Sequence, residues 1–154
     1  MVRSMRSGLL AGVALVWGCG GGSTSNTPSP SANQWVRQVR SQIRLREDVL
    51  TTRGYELTTQ IYTGRLRDDE SETLVSELRF GSDYAFLGVC DNDCSDVDLR
   101  LFDDDGREVD SDVRTDDWPV VRVTPARSGR FRVRVIMANC RTNPCYYGVG
   151  LYRK

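Results

Sequence analysis

At 154 residues the chain is long enough for one domain with its own core and a shorter appended segment. Its 21 basic and 21 acidic side chains cancel, which excludes a whole-molecule field that draws in nucleic acid. It has no histidine, and Lys154 is its only lysine, so Ser-His-Asp triads, Cys-His nucleophiles and His-ligated zinc are excluded and a buried Schiff-base lysine fits poorly.

Residues 1–19 read as an export signal. Arg3 and Arg6 form a positive start, and residues 9–17 supply an apolar run too short to span a bilayer well. Gly18 directly before Cys19, with Leu15 and Val16 upstream, resembles the bacterial lipobox. That resemblance implies a lipidated Cys19 as the new N-terminus. Gly20 in place of aspartate implies, by similarity to Gram-negative lipoproteins, the outer membrane. Residues 20–32, "GGGSTSNTPSPSA", read as a flexible tether without apolar pattern.

Helical periodicity covers residues 33–54. Val36, Val39, Ile43 and Leu50 recur at three-, four- and seven-residue spacing, with Trp35 at the edge. Asn33 is the predicted cap and Gly54 the predicted stop. Arg37, Arg40, Arg44 and Arg46 line the other side. A basic amphipathic helix of this kind packs its apolar stripe on a sheet or lies on a membrane; the first is expected here.

From residue 55 the period changes to two, and 55–154 reads as a β domain. "YELTTQIYTGRL" alternates loosely, and "ETLVSELRF" puts Leu74, Ser76 and Leu78 on one face. "GSD" turns the chain into "YAFLGV". "DVDLRLF" directs Val97, Leu99 and Leu101 inward, with Asp98, Arg100 and Phe102 outward. "DDDG" at 103–106 is a hairpin signal. "WPVVRVT", the turn "PARSG", "RFRVRVIM" and "CYYGVGLYR" follow, with Phe131, Val133 and Val135 alternating with Arg130, Arg132 and Arg134. Short strands spaced in this way predict a mainly β fold, an antiparallel sandwich of about eight strands with one N-terminal amphipathic α-helix.

Charge is segregated along this domain. Residues 91–117 hold 12 acids and 3 arginines, whereas residues 118–154 hold 8 basic residues and no acid. Two stretches of opposite sign pair across neighbouring strands or form a polarised binding face.

The stretch "GVCDNDCSDVDLRLFDDDGREV", residues 88–109, concentrates the candidate chemistry. Read as an EF-hand from Asp91, position 6 is Asp96 instead of glycine and position 12 is Phe102; read from Asp103, position 12 is Arg114. Neither is an EF-hand. A looser calcium site of Asp91, Asp93, Asp96 and Asp98 stays open, against the alternative that Asp96 and Asp98 accept backbone N–H bonds in a tight turn. Cys90, Cys94, Cys140 and Cys145 lack the C-x-x-C spacing of thioredoxin-like sites. Four thiolates suit one tetrahedral zinc, but an exported chain oxidises its thiols. With Cys19 set aside for lipid, the even number left predicts two disulfides. Cys90 with Cys94 and Cys140 with Cys145 are favoured by proximity, and cross-pairing of the two loops is the alternative.

Residues 78–152 resemble the bacterial pre-peptidase C-terminal domain family. The resemblance rests on "DVDLRLFDDDGREV", then "SGRFRVRV", then a final aromatic strand. It implies a jelly-roll-like sandwich of the sort appended to secreted proteases, serving substrate binding, secretion or stability and not catalysis. Calcium and collagen binding, known for some relatives, do not carry over, because their ligand segment has no residue-by-residue match here.

The expectation is therefore a non-catalytic lipoprotein of the cell envelope, facing periplasm or exterior, that binds or supports at the surface and needs no cofactor. Its partners would be the membrane, through the lipid, and a surface glycan or protein. The alternatives are a carbohydrate- or matrix-binding module, with Tyr146, Tyr147, Tyr152 and Trp118 available to stack on sugar, or an accessory to an envelope hydrolase. The same four rings serve equally as core and edge packing.

Overall fold

A computed structural model describes residues 32–154. The predicted signal segment with Cys19, and the predicted tether except its last residue, lie outside the described residues.

The predicted helix is two helical pieces, α1 (Ala32–Arg46) and α2 (Asp48–Thr51), joined through Glu47. Glu47 keeps helical dihedrals (φ −67°, ψ −15°), so the chain re-aims without leaving the right-handed region. Gly54 stops it at φ +84°, a conformation only glycine adopts at little cost. The Gly54 N–H donates to the Thr51 carbonyl at 3.0 Å and the Tyr55 N–H to the Leu50 carbonyl at 3.2 Å, the paired bonds of a Schellman ending.

Eight strands follow: β1 (Glu56–Leu66), β2 (Ser71–Leu78), β3 (Tyr84–Cys90), β4 (Cys94–Phe102), β5 (Glu108–Asp112), β6 (Val120–Val123), β7 (Gly129–Cys140) and β8 (Cys145–Arg153). They form two four-stranded sheets, ordered β1-β8-β3-β6 and β2-β7-β4-β5, with every pairing antiparallel. The pairings are nested: β4 with β5, β3 with β6, β2 with β7, β1 with β8. The chain is thus one long hairpin, tipped by the predicted 103–106 turn, folded over into two layers. Strand β5 is the element the alternation did not name. "EVDSD" has one apolar residue and so no alternation of its own; it is the return strand of the predicted 103–106 hairpin.

The sandwich interior takes the predicted inward residues: Leu74 and Leu78 from β2, Val97, Leu99 and Leu101 from β4, Phe131, Val133 and Val135 from β7. Ser76 is buried with them, held by the Tyr62 hydroxyl at 2.7 Å. A second apolar layer lies outside the first sheet, where Val39, Ile43 and Leu50 pack on Ala85, Leu87, Val89 and Tyr152. This explains β3, whose seven residues are all buried. Alternate side chains enter the sandwich and the helix interface, so "YAFLGV" reads as a continuous apolar run. The helix packs on the sheet, as expected from its stripe. Gly148 and Gly150 of β8 let it come close: a Cβ on Gly148 would sit 3.3 Å from Ile43 and Val39.

Candidate functional site

The cysteines form two local disulfides, Cys90–Cys94 and Cys140–Cys145, with Cα separations of 5.9 and 5.8 Å. This is the favoured pairing. Its consequence is larger than the small rings suggest. Cys90 ends β3 in the first sheet and Cys94 begins β4 in the second; Cys140 ends β7 in the second and Cys145 begins β8 in the first. Each bridge therefore staples one sheet to the other, and Cys94 lies directly opposite Cys140 in the β4–β7 ladder. Both act at the same end of the sandwich. Two disulfides fit an oxidising, extracytoplasmic compartment. Among the described residues no helix is long and apolar enough to cross a membrane.

Backbone and carboxylate bonds lace the stapled loops together. The Asp91 carboxylate, 2% exposed, accepts the Tyr146 N–H at 2.8 Å and the Asp93 N–H at 3.2 Å. Arg141 donates its N–H to the Asp93 carbonyl at 2.9 Å and its guanidinium to the Asn92 carbonyl. Asp68, from the β1–β2 turn, accepts the Cys140 N–H at 2.7 Å. Burial raises the Asp91 pKa above its ordinary 3.8 in spite of the N–H bonds it accepts.

Asp96 and Asp98 do not sit in a tight turn, the role given to them as the alternative to calcium. They lie in strand β4, where its register with β7 shifts. The turn-forming role belongs to Asp91 and to Asp103, whose carboxylate accepts the Arg107 N–H at 2.9 Å in the β4–β5 hairpin. Burial raises the pKa of Asp96 against a hydrogen bond from the Asp116 backbone that lowers it, and burial raises that of Asp98, with the Asp96 charge adding to it. Across the sheet, Asp112 is also resisted by burial. There the Arg114 guanidinium, 2.9 Å away, and the Val120 N–H outweigh it and hold Asp112 below 3.8. Among the described residues no group of three or more acids or cysteines is arranged to hold a metal ion, and Asp91, Asp93, Asp96 and Asp98 form no such group.

The opposite-charge stretches do meet. Arg127 pairs with Asp105 at 2.6 Å, Arg130 with Asp104 at 3.7 Å, and Arg132 donates to the Asp103 carbonyl at 3.1 Å. Strand β6 is sealed the same way by side chains of β5: the Val120 N–H goes to Asp112 and the Arg122 N–H to Asp110. These carboxylates cap an edge strand that would otherwise offer free N–H groups.

Of the four aromatics available for sugar, Tyr147 and Tyr152 are fully buried. Trp118 is half-buried under the Arg46 guanidinium, 5.3 Å from the ring centre. Tyr146 stacks on Trp35 of α1, centroids 5.4 Å apart and planes 12° from parallel.

A groove of about 430 Å³ lies at the other end of the sandwich, between the β4–β5 hairpin and the β6–β7 turn. Val109, Val123, Pro125, Ala126 and Phe131 give it an apolar lining, with Asp103, Arg107 and Arg127 also on its wall. Phe80, 69% exposed, stands on the neighbouring β2–β3 turn, tied by its N–H to Ser128 at 2.8 Å. No sequence motif marked this groove. It is made by two turns about 20 residues apart, and "PARSG" looks like an ordinary connection. Comparison with protein-family models gives no match for this chain, and comparison with curated proteins gives none at a significant level.

Proposed function

We propose that the protein is a non-catalytic cell-envelope lipoprotein that binds a surface glycan or protein at the end of its sandwich farthest from the anchor. The observation that carries this is the polarity of the domain. The chain enters α1 at the stapled end, where Trp35 meets Tyr146, and the groove with Phe80 lies at the opposite end of the same strands. A lipid on Cys19 then tethers the domain from the stapled end and leaves the groove at the end away from the tether. The nested strand order supports a jelly-roll domain of the pre-peptidase C-terminal kind, and the lipobox-like "VWGC" supports the anchor. An apolar concavity with a few charged groups on its wall has the character of a recognition site.

Two measurements test the two halves. The exported protein is expected in the detergent phase on phase separation, and Cys19→Ser is expected to release it or block its processing. Partitioning unchanged by that substitution overturns the lipoprotein half. On a glycan and matrix-protein array, binding is expected to be lost in Val109→Asp and Phe80→Asp proteins that melt like the parent. Binding indifferent to both changes places the recognition surface elsewhere.

A further inference from the structure

With its apolar stripe used inside the protein, α1 turns a different face outward. Arg37, Arg40 and Arg44 are exposed, three and four residues apart, and so share one face over about 10 Å of helix. Helix α1 contains no acid. Among the described residues none of the three arginines forms an ion pair, whereas Arg46 is taken by Asp117 at 3.6 Å. The nearest acids in sequence lie beyond the C-terminal end of α1: Glu47 faces the Tyr152 hydroxyl at 3.4 Å, and Asp48 is exposed without pairing to Arg44. On the outer face of β4 and β7, Arg100 pairs with Glu108 at 3.0 Å, Arg130 with Asp104, and Arg132 binds backbone carbonyls, while Arg134 is exposed. Among the described residues no acid balances this helix face through an ion pair. Leu45, 70% exposed, adds an apolar side chain beside Arg44.

We propose that this arginine face docks electrostatically on anionic lipid headgroups beside the anchor, setting the orientation of the sandwich on the membrane. The proposal rests on the lipoprotein reading for what brings the helix to lipid. The 13 residues that follow Cys19, residues 20–32, span at most about 45 Å however they are arranged, so an anchored domain keeps α1 near the headgroups. Val39 and Ile43 are buried against the sheet, so the contact works through charge and not by insertion of the helix. It should be reversed by salt.

The test uses the intact protein extracted from membranes and reconstituted into neutral phosphatidylcholine vesicles, or vesicles that also contain phosphatidylglycerol. Arginines are modified with a dicarbonyl reagent and the rates read by peptide mass spectrometry. Arg37, Arg40 and Arg44 are expected to react several-fold more slowly on the anionic vesicles only, recovering in about 1 M salt, while Arg107 reacts at one rate throughout. Equal rates on both vesicles, or equal protection of Arg107, overturns the proposal. If the protein does not remain with neutral vesicles, the anchor reading fails separately. Co-flotation of the unanchored protein with anionic vesicles then still tests the face. Arg37→Gln, Arg40→Gln and Arg44→Gln together should weaken that binding on the order of 100-fold. Unchanged flotation sinks the proposal.

Discussion

Asp91 lies between the end of β3 and the start of β8, and both its carboxylate oxygens serve as acceptors for backbone N–H groups. Removing the side chain strands two donors at the stapled end. Asp91→Ala is expected to cost about 2–4 kcal/mol of unfolding free energy, read from urea melts. A loss below 1 kcal/mol would mean that water replaces the carboxylate without penalty. Asp112 supports a second prediction, with a pH sign. Its folded-state pKa lies below 3.8, so the stability it contributes is present above pH 3.8 and is lost as pH falls through the lower folded value. Asp91 has the opposite sign. Its folded pKa is raised, so the protein gains stability from that site as pH falls from neutral toward 3.8. The parent should therefore hold its stability down to about pH 4 and lose it steeply below. Asp112→Asn should be weaker by about 1–2 kcal/mol at pH 7, with the gap closing below pH 4. A gap independent of pH would show that the Asp112 charge plays no part.

At the scale of elements, α1 is a third layer and not an accessory. Val39 and Ile43 are 1% and 0% exposed, and they fill the space left by Gly148 and Gly150. Val39→Asp and Ile43→Asp should each destabilise the domain by roughly 2–4 kcal/mol. Gly148→Ala, which puts a methyl group 3.3 Å from Ile43 and Val39, should lower the melting temperature without touching the helix sequence. If the melting temperature is indifferent to all three, the helix is not part of the cooperative unit. The disulfides are elements of closure. Their rings are small, and each contributes only about 2 kcal/mol through loop entropy. Because each joins one sheet to the other, losing both should open the stapled end first. Cys→Ser replacement of both pairs is expected to raise amide exchange in residues 88–98 and 138–148 more than at the groove end. A uniform rise would show that the staples act on the whole sandwich alike.

Across the whole molecule, the acidic and basic stretches meet through ion pairs, carboxylate caps on β6 and arginines on turn carbonyls. What stays unbalanced is local: the arginine face of α1 on one side and the groove with Phe80 at one end.

Local pattern was enough to read the period change at Gly54 and the inward faces of β2, β4 and β7, and it favoured helix packing over a membrane surface and local over crossed disulfides. Each depends on residues near in the chain, through a repeat of two or of 3.6, a glycine stop or a short loop between cysteines. The remaining features come from contacts between distant segments. Strand β5 is polar and is a strand because β4 pairs with it. The second bond of the Asp91 carboxylate, beside its turn bond to Asp93, exists because β8 brings the Tyr146 N–H to it from 55 residues away. The inter-sheet role of the disulfides follows from which strand falls in which sheet. The groove exists because two turns remote in sequence are folded side by side. These outcomes depend on contacts between residues far apart in the chain, and no local pattern records such contacts.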